Sequence, residues 1–369
     1  MCYFLNKIQM KNLMKRHPLL VIALLMLAPF TYAQTNFTEI TPLPQVDSAG
    51  YFLQKGLTEK QNGRLLESYK NFMKALAYDE NSLAINKELA IAYYNLRKYA
   101  NARETYIKLV NLGEATAENY KKILDLSFQL KQKDDVLVYA GKLKEVDPNA
   151  KVAYYVGRVN YDMDNYGEAI KYLKQAIEED PTNAQPPYLI AHSYADMMNY
   201  KLAVPYFKQA IALDTTQSYW IYELSLICYA MNNDKDALKY MLEAGEKGLR
   251  KDNDYYENLA IAYLNVGNLE KGVEMLNEIL KRKPSDMNIL NMIAEAYYYK
   301  GNFDKAIDYW DKILEYDKDN ASSIYMIGMA YQKKGGKVNK EKGVKLCEIA
   351  IQKDPSLARY KQKKMMMGM

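Results

Sequence analysis

The chain repeats itself about every 34 residues, and this period constrains its fold more than any other feature. The stretch from Ala150 to Asn183 reads AKVAYYVGRVNYDMDNYGEAIKYLKQAIEEDPTN, two helical patterns joined by a tight turn at Asp164-Asn165. Small Gly157 sits midway along the first pattern, and Ala169 and Ala176 flank Leu173 on the second. Asp180-Pro181 then ends the second pattern, because proline disfavours helix in the residue before it and has no N–H to donate. One period on, the same marks return as Ala191, Ala203, Phe207 and Ala210. A helix pair cannot bury both its faces alone, so the pattern predicts an all-α solenoid stabilised by stacking neighbours. That architecture replaces the two or three separate domains that 369 residues suggest by length.

Nine units follow from this template: 49–82, 83–116, 117–149, 150–183, 184–217, 218–252, 253–286, 287–320 and 321–357. The first matches weakly, as a capping unit does, with Gly56, Ser68, Phe72 and Ala75 but a polar opening helix. The third diverges at Val136 and Ala140. Pro186-Pro187 lie in the first turn of a helix, where proline is tolerated. Pro205 falls a few residues into the next helix and predicts a late start or a kink. The last unit gains three residues, assigned to its Gly335–Lys340 turn, and residues 358–369 read as a polar capping tail.

The recurring set Gly157, Tyr166, Ala169, Leu173, Ala176 and Pro181 resembles the tetratricopeptide repeat. The resemblance covers residues 49–357 and implies antiparallel helix pairs stacked into a right-handed superhelix. In that family the first helix of each pair lines the concave face, which commonly holds a peptide or protein.

The first 33 residues read as a cleavable export signal. Lys15, Arg16 and His17 precede an apolar run from Leu19 to Phe30, with small Ala33 at the expected cut. The run is too short to span a bilayer, which takes about 20 residues. Residues 14–33 make a complete signal by themselves, so Met14 is a second candidate start. An uncleaved membrane anchor is the alternative. Residues 34–48 are polar, carry two prolines and read as a flexible lead-in. Export implies a periplasmic or secreted protein with no stable membrane insertion once the signal is gone. Removing the signal leaves 46 of the 50 basic residues against 45 acidic ones. The overall charge therefore offers no basic footprint for nucleic acid. Cys228 and Cys347 lie more than three units apart, too far for a disulfide, and are expected to be buried thiols.

A search for chemistry finds little. After signal removal His192 is the single histidine, and no phosphate-binding, nucleophile-elbow or zinc-protease motif occurs. The expectation is a protein with no catalytic residues, no metal site and no cofactor. The more informative set lies one helical step from the packing marks. Tyr154, Arg158 and Tyr161 share a face by i, i+4, i+7 spacing, and the same face continues through Tyr188 and His192, then Tyr222 and Tyr229. Tyr154, Tyr188 and Tyr222 are each 34 residues apart, so a regular stack would align them as a ladder. Two readings follow: tyrosines filling the space between repeats, or an aromatic groove for a protein or peptide partner. A carbohydrate-binding face, with tyrosines stacked on sugar rings, is the alternative function.

Overall fold

A computed structural model describes residues 47–359. The predicted export signal and residues 34–46 of the lead-in lie outside the described residues, as does the tail from residue 360. Ser48, placed in the lead-in from sequence, is the first residue of a helix.

The described chain is all-α, in nine consecutive helix pairs. They are α1 (Ser48–Gln61) with α2 (Leu65–Tyr78), α3 (Leu83–Asn95) with α4 (Tyr99–Asn111), and α5 (Ala117–Gln129) with α6 (Lys133–Val146). Next come α7 (Ala153–Asp162) with α8 (Tyr166–Glu179), α9 (Gln185–Asp196) with α10 (Tyr200–Leu213), and α11 (Ser218–Ala230) with α12 (Asp234–Glu246). The last are α13 (Asn253–Asn265) with α14 (Leu269–Arg282), α15 (Met287–Tyr299) with α16 (Phe303–Tyr316), and α17 (Ala321–Lys334) with α18 (Lys337–Lys353), followed by a 3-10 turn, Pro355–Leu357. Each helix packs on its neighbours in sequence, the arrangement of stacked adjacent pairs typical of a tetratricopeptide superhelix.

Close approach explains the small residues. A Cβ on Gly157 would sit 2.7 Å from the Leu173 side chain and 3.0 Å from its backbone N. Leu173, Ala169, Phe207 and Ala203 are at most 1% exposed, so small and large positions interlock between helices. The apolar interior is a row of clusters, each built from adjacent pairs; one joins Ala191, Ala203 and Phe207 to Leu224, Cys228 and Ala237. Cys228 and Cys347 are both buried, as expected. Burial raises the Cys228 pKa to about 11, which leaves it a packing residue at neutral pH.

The turn inside each pair has a conformational demand that the sequence only half declares. One residue there adopts a left-handed backbone in all nine pairs: Gly63, Arg97, Lys131, Asp164, Met198, Asn232, Gly267, Gly301 and Gly335. Five of these carry a side chain, and Met198, at φ 57°, gains no local hydrogen bond as Asn or Asp can. Met198→Gly is therefore expected to stabilise the chain by about 1 kcal/mol, read as a higher unfolding midpoint. The turns between pairs use a different device. Asp180 is extended, at φ −147° and ψ 90°, and its Oδ1 accepts hydrogen bonds from the Thr182 N–H and hydroxyl. Asp147, Asp214, Asp317 and Asp354 repeat the backbone bond two residues on.

The late start expected at Pro205 and the longer turn expected in the last unit are corrected. Pro205 does not delay its helix: α10 begins at Tyr200, one period after Tyr166 begins α8, and runs through Pro205 to Leu213. Stacking against the neighbouring helices holds that turn despite the lost backbone bond. The extra residues of the last unit do not lengthen its turn. They extend α18 to 17 residues, because Gly335 and Gly336 complete the reversal and leave Lys337 free to start the helix.

Candidate functional site

The site predicted from sequence lies on first helices α7, α9 and α11. Tyr154, Tyr161 and Tyr188 all rest, half-buried, against one apolar cluster of Ala169, Ile170, Leu173, Leu189 and Ile190. His192 lies among them, its ring 4.5 Å from Tyr188 and 6.4 Å from Tyr161 between centroids. Arg158 pairs with Asp162 one helical turn on, at 3.1 Å, on an open part of the face. Tyr229 belongs to the next cluster, around Ala191, Phe207 and Cys228.

Tyr222 does not share that exposure. It is 6% exposed and packs in the core with Ile221, Met241 and Leu259. The evenly spaced ladder therefore breaks as a surface. Tyr188 stacks instead on Trp220, at 4.4 Å and 19° between ring planes. Tyr154 packs against Phe128 and Tyr155 rather than against Tyr188. The physical reason is register. Neighbouring first helices are offset, so a residue meets the positions 31 to 36 further on, and a 34-residue spacing does not guarantee ring-on-ring contact.

The hydrogen bonds follow the same offset. The Tyr188 hydroxyl donates to Glu223 Oε2 at 2.9 Å, and His192 Nε2 lies 3.2 Å from the same oxygen. The Tyr161 hydroxyl donates to Asp196 Oδ2 at 3.3 Å. Asn258 donates to the Tyr222 hydroxyl at 2.9 Å, linking α11 to α13. Burial and a neighbouring acid raise the Tyr161 and Tyr188 pKa values well above the ordinary phenol range. Both hydroxyls therefore act as hydrogen-bond donors at neutral pH. Desolvation also raises the Asp196 carboxyl above the usual carboxylate value.

Glu223, Trp220, Asp196 and Asn258 were missed from sequence. No spacing within one helix singles them out. Only the offset between consecutive first helices could have found them.

Farther along the same face, Glu257 of α13 is half-buried with no hydrogen-bond or ion-pair partner among the described residues. Desolvation raises its pKa, and Asp254 and Asp286 raise it further. The sign is simple. A carboxyl with a raised folded pKa penalises the fold once it ionises, so the cost appears as pH rises above the unfolded value of about 4.3. Glu257→Gln is expected to raise the melting temperature at pH 7, with the gain vanishing below about pH 4, where the carboxyl is protonated in both states. Melting curves across this range check both halves.

Among the described residues no group of three or more His, Cys, Asp or Glu converges in a metal-holding cluster. No described helix is long and apolar enough to cross a membrane.

Sequence profiles of the tetratricopeptide repeat match residues 150–183 and 288–320, and a second profile of the same description matches 188–217 and 254–286. No curated protein sequence matches the chain. Among solved structures it is similar to YrrB, described as a tetratricopeptide protein with an unusual peptide-binding site. That match has 20% identity and a TM-score of 0.41, over 53% of this chain and 100% of the other. It is also similar to the C-terminal part of a repeat protein from Cytophaga hutchinsonii, at 19% identity and TM-score 0.43, over 74% and 99% of the two chains. A third likeness is to pilF of Pseudomonas aeruginosa, at 16% identity and TM-score 0.34, over 68% and 98%.

Proposed function

Because the chain is a tetratricopeptide repeat protein whose described residues form nine helix pairs, we propose that it is a non-catalytic scaffold holding a peptide or protein partner on its first-helix face. The observation that carries this is the face itself. Arg158, Tyr161, Tyr188 and His192 form one accessible surface, with Tyr161 and Tyr188 fixed by Asp196 and Glu223 of the next helices. Rigid aromatic and polar groups that are already oriented bind with little further loss of side-chain freedom. The sugar-stacking alternative loses support, since Trp220 covers a face of Tyr188 and Tyr222 is buried.

The export reading belongs to the same proposal. The basic, apolar and small-residue order of the first 33 residues supports it, and a scaffold so exported would serve a cell-envelope assembly, in the periplasm or secreted.

A photo-crosslinker tests the binding face. Tyr219, at the start of α11, is 55% exposed, and Leu202, on second helix α10, is 45% exposed. Crosslinks to a partner are expected from position 219 and not from 202. The reverse pattern would contradict the proposal.

A further inference from the structure

The near-balance of charge over the chain hides a break at the ninth pair. Residues 47–332 carry 35 Lys and Arg against 41 Asp and Glu, while residues 333–369 carry 11 against 3. Most of that excess lies in the described residues, at the end of α17 and along α18. The stretch Lys333 to Lys340, KKGGKVNK, wraps four lysines around the reversal at Gly335 and Gly336. Lys334 pairs with Asp304, Lys353 with Asp319, and Lys342 donates to the Tyr331 hydroxyl at 2.7 Å. Lys333, Lys337, Lys340 and Lys345 are exposed and make no ion pair among the described residues, and neither do the acids Glu341, Glu348 and Asp354. Like charges crowded in this way repel one another until a counter-charge arrives.

A second observation is apolar. Val338 lies in the turn that makes α18 longer than the other second helices, and at 78% it is the most exposed large apolar side chain among the described residues. Val338, Lys345 and Ile349 recur at i, i+7 and i+11 on one face of α18, turned away from the buried Gly343, Cys347 and Ala350. Ile349 is itself exposed. Residues 360–369 lie outside the described residues, and their sequence continues the mixture with Lys361, Lys363, Lys364 and Met365 to Met367.

A continuous anionic plane fits this mixture better than a shaped partner does. Lysine heads on flexible stems need no fixed partner geometry, and aliphatic groups between them enter a lipid headgroup region favourably. A nucleic acid would leave Val338 and Ile349 in water. It would also lack a stacking platform among the described residues of this patch, because Lys342 already covers the Tyr331 ring at 4.0 Å.

We propose that the turn between α17 and α18, with the outer face of α18, is a peripheral docking surface for an anionic lipid bilayer. Basic clusters carrying exposed apolar side chains associate reversibly with such surfaces, lying on them rather than spanning them. The inference does not depend on the scaffold reading.

Vesicle sedimentation of residues 34–369 gives the test. This chain keeps every described helix and lacks the apolar run Leu19–Phe30, which would itself seek lipid. Binding is expected to vesicles of phosphatidylcholine with about 30% phosphatidylglycerol, and to be at least about tenfold weaker to phosphatidylcholine alone. It should fall by a similar factor between about 50 and about 500 mM salt. Lys333→Gln/Lys337→Gln/Lys340→Gln/Lys345→Gln alters exposed, unpaired side chains, so the melting temperature should hold while binding to the anionic vesicles drops about tenfold or more. Val338→Ser should weaken binding about threefold. Failure to bind the anionic vesicles, equal binding to both kinds, or undiminished binding by the quadruple variant would overturn the inference. So would tighter binding to a DNA duplex or to polyglutamate than to the vesicles with no effect of Val338→Ser, which would assign the patch to a soluble polyanion.

Discussion

Gly328→Val is expected to destabilise the chain by about 3 kcal/mol or more. A Cβ at position 328 of α17 would lie 2.7 Å from Cys347 Sγ, 2.8 Å from the carbonyl oxygen of Gly343 and 3.0 Å from the Cys347 backbone N. Two of those three neighbours are backbone atoms of α18 and cannot rotate away. Gly343 faces Gly328 reciprocally: a Cβ there would come within 2.4 Å of the Gly328 carbonyl oxygen. The last pair therefore closes backbone against backbone. Gly141, inside α6, makes the contrast, since a Cβ there meets nothing within 4 Å. Gly141→Ala is expected to stabilise by about 0.5–1 kcal/mol through helix propensity. Hydrogen exchange at each pair reads these effects better than one unfolding midpoint, because stacked repeats need not unfold together.

Tyr222→Ala is expected to cost about 3 kcal/mol, as truncating a buried aromatic does. The ring fills the cluster between α11, α12 and α13, and its hydroxyl accepts the Asn258 hydrogen bond. Tyr219→Ala, three residues away and largely exposed, is expected to change stability by less than about 0.5 kcal/mol. Denaturant unfolding of the two variants side by side checks the difference. The contrast also shows why replacing Tyr154, Tyr188 and Tyr222 together is a poor probe of binding: any loss of capture would follow from loss of the fold.

Much of the fold was legible because close packing repeats its demands at each period. Gly157, Ala169, Leu173 and Phe207 mark where helices touch, and all are buried. The turn was less legible. Gly267, Gly301 and Gly335 announce a left-handed residue, while Met198 and Lys131 adopt the same conformation without any sequence sign of it. The site was legible only as a face. Periodicity within one helix placed Tyr154, Arg158, Tyr161, Tyr188 and His192 on a common side, but whether a member is open or covered depends on the offset of the next helix. That offset buries Tyr222, brings Trp220 onto Tyr188, and turns Glu223 into the shared acceptor for Tyr188 and His192.

The central claim, that the first-helix face holds a partner, is tested most directly by partner capture with Arg158→Ala/Tyr219→Ala. Arg158 makes an open i, i+4 pair with Asp162, and Tyr219 is largely exposed, so neither change truncates a buried side chain. Capture is predicted to fall about tenfold or more, with the melting temperature within about 2 °C of the parent. Undiminished capture by this folded double variant would contradict the account.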